Sequence, residues 1–128
     1  MSLETTILQN LVFNEDYTRK VIPFVKDEYF SEQSERVVFK LVQDFIGKYN
    51  ELPTIDSLKI SLSDTNIVEG VYTDTVSLID KLKDEKINNQ WLIDETETFC
   101  RDKAVYNAIF QSINILDGKD KNHSKDGI

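Results

Sequence analysis

One cysteine, one histidine, two prolines and four glycines in 128 residues exclude a good deal before any pattern is sought. A lone Cys100 forms no internal disulfide and gives no sign of an oxidising compartment. With one Cys and one His, a zinc site would need carboxylates or a second chain. So little glycine and proline argues against an all-β protein with many turns. No apolar run approaches the roughly eighteen residues of a membrane span. No basic, then apolar, signal peptide opens the chain. Lys and Arg never cluster beyond two adjacent residues, as at Arg19-Lys20. The chain has 15 basic and 23 acidic residues, a net charge of -8. The segment 117–128 holds three Lys and three Asp, so the rest of the chain carries the whole excess. Nucleic-acid binders need a basic footprint against phosphates, and little direct DNA binding is expected here. The plainer reading of the acidity is solubility.

Catalytic signatures are also missing. Neither GxxxxGK[ST] nor GxGxxG occurs. His123 lies in a polar tail and reads as a solvated residue. Cys100, beside Phe99, reads as a small half-buried hydrophobe rather than a nucleophile. Asp94, Glu95 and Glu97 cluster, as acid–base pairs or Mg²⁺ ligands do. They also occupy the first turns of a helix, where acidic residues are favoured anyway. Catalytic, cofactor and metal residues are therefore expected to be absent from this chain.

What is present is helical periodicity. Hydrophobic content is 40%, enough for one domain with a real core. Residues 4–13 place Ile7, Leu8, Leu11 and Val12 on one face. Asn14 can cap a second helix, which Pro23 ends or bends. Phe24, Val25, Tyr29 and Phe30 form an apolar connection over the core. Ser31 is the expected cap of a third helix, with a stripe of Val38, Leu41, Val42, Phe45 and Tyr49. Thr54 caps a fourth, with Ile55, Leu58 and Leu62 inward. Residues 63–71 read as a loop that Gly70 supports. A fifth helix starts at Thr73 or Asp74. The expected class is all-α: a compact body of about five short helices followed by one long protruding helix.

That long helix spans residues 88–117 without Gly or Pro. Leu92, Phe99, Tyr106 and Ile113 recur every seven residues, with Ile109 and Leu116 between them in the second half. Asn88 or Asn89 can cap its start, Gly118 follows its end, and Glu97–Arg101 is a favourable i, i+4 pair. At 1.5 Å per residue it is ~45 Å long, against a body about 30 Å across. Part of it should protrude and need a partner. Tyr106, Ile109, Phe110, Ile113 and Leu116 are the candidate oligomer or partner surface. The competing reading folds the helix back over its own body. Trp91 and Phe99 are the expected anchors to the body, though Trp91 also suits an interface hot spot. Residues 1–117 form the expected domain and 118–128 a flexible tail or linker.

Several stretches resemble one family when taken together. They are Asp27-Glu-Tyr-Phe30, Phe39-Lys-Leu-Val42, Tyr49 followed by Leu52-Pro-Thr-Ile-Asp-Ser-Leu58, and Leu78-Ile-Asp-Lys-Leu82. Trp91-Leu-Ile-Asp-Glu-Thr-Glu97 and residues 104–108 with Asn107 complete the set. In this order they resemble the N-terminal domain of the replicative DNA helicases of T-even-like bacteriophages, which are DnaB-type hexameric helicases. The resemblance covers roughly residues 7–110. It implies a collar domain that contacts primase and other replisome proteins in the cytoplasm of an infected bacterial host. It also implies that a separate motor domain holds ATP and Mg, and that the long helix is the first arm of a helical hairpin. The chain would then be an excised domain, a homodimer alone and a hexamer in its parent. A free-standing acidic helical adaptor or inhibitor is the alternative, and a small metal-dependent enzyme a distant third.

Overall fold

The computed structural model describes residues 2–122, with side chains through residue 115. Six α-helices and one 3₁₀ turn follow in order, and there is no strand among the described residues. They are α1 (Leu3–Phe13), α2 (Glu15–Val21), the turn Asp27–Tyr29, α3 (Gln33–Tyr49), α4 (Ile55–Ser63), α5 (Glu69–Lys81) and α6 (Asn89–Asn122). The fold is all-α.

Short polar side chains set most helix starts. Asn14 closes α1 and opens α2, where its Oδ1 accepts the Tyr17 amide at 3.2 Å. Thr54 and Ser57 cap α4 reciprocally, at 3.0 and 2.8 Å. At α3 the cap is Glu32, not Ser31. The Glu35 carboxylate accepts the Glu32 amide at 3.1 Å, and the Glu32 side chain completes the box. The reciprocal pair satisfies two end amides, where a serine one residue earlier satisfies one. Asn50 ends α3 in the left-handed region, at φ 57°, which asparagine tolerates better than most residues. Arg19 donates to its Oδ1 at 2.8 Å and its carbonyl at 2.7 Å, tying α2 to the end of α3.

Two boundaries differ from expectation. α5 starts at Glu69, so the loop shrinks to residues 64–68 and Gly70 lies in the first helical turn. One glycine costs a helix only about 1 kcal/mol against alanine. Fully burying Ile79 and Thr75 on α5 outweighs that. α6 also passes through Gly118 to Asn122, with no proline to stop it and a glycine cost of only about 1 kcal/mol. The expected tail is therefore helical backbone over residues 118–122, while residues 123–128 and His123 lie outside the described part.

The core gathers around α1, whose Ile7, Leu8, Leu11 and Val12 are buried against α2 and α3. Tyr17, Phe30 and Phe39 are its fully buried aromatics. The Phe30 ring lies 5.5 Å from Phe39 and 5.8 Å from Phe99, joining α3 to α6 through the connection after α2. The α3 stripe is corrected in part. Val38, Phe39 and Val42 are buried, Leu41 and Phe45 only partly, and Tyr49 is 54% exposed. The last turns of α3 run past the core.

Candidate functional site

α6 has two halves with different surroundings. On its inner half Leu92, Ile93, Thr96, Phe99 and Cys100 are buried against the body. Thr96 donates to the Leu92 carbonyl at 2.7 Å, so the 2.6 Å bond to Tyr17 must take its proton from the tyrosine. Burial raises the Tyr17 pKa, with the Thr96 hydrogen bond opposing. Asn14 donates to the Asn89 side chain at 2.6 Å, and Asn107 to the Glu28 carbonyl at 3.4 Å. The Asn88 Oδ1 accepts the Trp91 amide at 2.8 Å and so supplies the cap.

Phe99 is buried at this junction. Trp91 is not: it is 49% exposed, and its neighbours Leu92 and Ile93 turn inward in its place. The buried face of this half is centred near Thr96, and at about 100° per residue Trp91 falls at or beyond its edge while Leu92 and Ile93 fall within it. Cys100 is buried but for about 6% of its surface, and burial pushes its thiol up to about 11. The Glu97–Arg101 pair does not form; Arg101 donates to the Thr98 hydroxyl at 3.4 Å. Ion pairs among the described residues are Arg19–Glu15 at 3.0 Å and Lys59–Asp80.

On the outer half the apolar side chains turn to solvent. Tyr106, Ile109, Phe110 and Ile113 are between 51% and 62% exposed, and Val105 and Ile115 are exposed too. The Tyr106 and Phe110 rings stack at 6.2 Å, 7° apart, one turn from each other. The helix does not fold back to cover them. Leu116 belongs to the same stripe by spacing, but its side chain lies outside the described part. At 3.6 residues per turn, the stripe of Val105, Tyr106, Ile109, Phe110 and Ile113 is rotated roughly 110° from the buried face of the inner half.

One signal available in the sequence marks this surface more sharply than the heptad. Residues 104–116 are thirteen consecutive uncharged residues in a chain that is 30% charged. The side of this segment away from the stripe carries Ala104, Ala108 and the amides of Asn107 and Gln111 rather than Lys or Glu.

Elsewhere the chemistry is sparse. A cleft of about 670 Å³ beside α1 and α6 is bordered by Glu15, Asp16, Asp84 and Glu85 against Lys86. No group of three or more His, Cys, Asp or Glu is placed to hold a metal ion among the described residues. Asp94 accepts from Gln90 at 2.9 Å. No described helix is long and apolar enough to cross a membrane.

No protein-family model matches the chain. A DnaB-like replicative helicase of Enterobacteria phage T4 is 33% identical over 109 residues. The chain is a homologue of part of that helicase. The aligned residues are 85% of this chain and 23% of the phage protein, so the chain spans about a quarter of its relative. Homology to the helicase fits the resemblance read from the stretches at Asp27, Leu52, Leu78 and Trp91.

Proposed function

We propose that this chain is the assembly and partner-recruitment domain of a phage replicative helicase. Homology to the T4 helicase supports the helicase setting. The observation that carries the assembly role is the exposed Tyr106, Ile109, Phe110 and Ile113 stripe on the charge-free half of α6. Each such side chain is worth roughly 1.5–3 kcal/mol if buried, so the surface is costly to leave in water. A two-fold pairing with the same surface of another copy is the simplest cover. In the parent protein the same helix would join neighbouring domains of a hexameric collar, with primase and other replisome proteins as its contacts. ATP and Mg would be held by a separate motor, since no phosphate loop occurs in these residues. The setting is the cytoplasm of the bacterial host.

Sedimentation equilibrium with circular dichroism on the wild type and on Ile109→Asp with Ile113→Asp tests the assembly role. The wild type should dimerise with micromolar or tighter affinity, and the double variant should be a folded, helical monomer. A wild type that stays monomeric at ~100 μM overturns the reading, because micromolar affinity would pair it fully.

A further inference from the structure

A second surface lies away from α6. The last turns of α3 run past the core and, with the end of α4, border a groove of about 320 Å³. Leu41, Phe45 and Tyr49 line it at i, i+4 and i+8 along α3. The Phe45 and Tyr49 ring centroids are 4.8 Å apart, tilted by 50°. Lys48 holds its ammonium 5.4 Å from the Tyr49 ring, so that ring already attracts a cation. Asp44 and Asp64 stand at the same groove, and neither forms an ion pair among the described residues. Lys48 lines the groove as well, so its two carboxylates outnumber its one cation, and an aromatic floor with that excess favours a cationic partner.

We infer that this groove docks a protein segment presenting an apolar side chain flanked by arginine or lysine. The apolar group would cover Leu41 and Phe45. The cation would pair with Asp44 or Asp64 beside the half-exposed Tyr49 ring, as Arg does at interface centres. Phosphate backbones are repelled by the two carboxylates. The α6 stripe of a second copy lies in a segment without charge and so offers no cation for them. The inference rests on the recruitment part of the proposed function but uses no residue of the α6 stripe.

The probes are a fluorescein-labelled helical peptide of Leu and Arg, and a peptide of equal length with Glu in place of Arg. Anisotropy is read at ~150 mM salt, where long-range attraction is screened. The Arg peptide should bind and the Glu peptide should not. Tyr49→Ser, and Asp44→Asn with Asp64→Asn, should each weaken binding ~10-fold or more, the loss of an interface anchor. Asp16→Asn with Asp84→Asn removes the same charge at the acidic cleft and should leave affinity within ~2-fold, the small effect of distant screened charges. Failure of the Arg peptide to bind overturns the inference. So does an equal loss in the Asp16/Asp84 variant, which would mean general charge attraction, or retained binding in both groove variants. Circular dichroism checks each fold; if Tyr49→Ser unfolds, the Asp44/Asp64 variant decides. Sedimentation of the groove variants should match the wild type, so failure here is distinguishable from failure of the assembly role.

Discussion

At the scale of single residues, Trp91 and Phe99 show how much two turns of helix matter. Phe99 packs on Phe30, and its replacement by Ala should cost ~3–5 kcal/mol, the range for a buried aromatic. Trp91→Ala should cost less than ~1 kcal/mol, as exposed positions do. Urea denaturation of both variants checks the contrast. The buried Tyr17–Thr96 bond gives a second ordered pair. Tyr17→Phe removes a donor and leaves Thr96 bonded to Leu92, at about 1 kcal/mol. Thr96→Val strands a buried phenol and should cost more, about 1–3 kcal/mol. Glu35 supplies a pH signature. Burial raises its pKa, opposed by its bond to the Glu32 amide. A carboxyl whose folded pKa is raised loses stability as pH climbs from the unfolded value through the folded one. Glu35→Gln keeps an acceptor without the charge. The variant should be more stable than wild type at neutral pH, with the difference vanishing below the ordinary glutamate range. Thermal melts across pH 3–7 measure it, and a difference that grows toward acid would contradict the assignment.

At the scale of helices, caps with short polar side chains were legible because the side chain acts on its own backbone. Asn14, Thr54 and Asn88 all do so. The α3 start was not legible, because Ser31 ranks above a glutamate in isolation and only the reciprocal Glu32–Glu35 bonds reverse the order. Ser31→Ala should therefore cost less than ~0.5 kcal/mol, while Asn88→Ala should cost about 1 kcal/mol, a typical cap loss. Equal melting temperatures for the two would refute the cap assignment. Gly70 and Gly118 misled for one reason. A glycine reads as a break, but it costs a helix only about 1 kcal/mol; on α5 the burial of Thr75 and Ile79 outweighs that, and on α6 no proline stands by to add to it. The stripe on α3 erred in the opposite sense: periodicity identified an apolar face but not where the core beneath it ends, so Tyr49 was counted inward.

At the scale of the molecule, the all-α class and the exposed outer half of α6 were both readable from spacing and length. The groove between α3 and α4 was not, because it depends on how far one helix overruns its neighbours. The excess of acidic residues has its own consequence. Single-stranded DNA should bind weakly or not at all at ~150 mM salt, since a surface without a basic stripe releases no counterions from phosphates. A fluorescence titration giving submicromolar affinity would contradict this.

The roughly 110° offset between the two faces of α6 makes the helix a shaft with a phase angle. The buried face and the exposed stripe are set apart by the number of residues between Cys100 and Val105 alone. Inserting one alanine there advances the outer stripe by about 100° and swings it into line with the body-facing side. Inserting seven returns it to within about 20° of its native bearing, only displaced outward by about 10 Å. The two insertions differ little in composition or helix propensity. They should nonetheless give dimers of different geometry, one reoriented and one merely stretched.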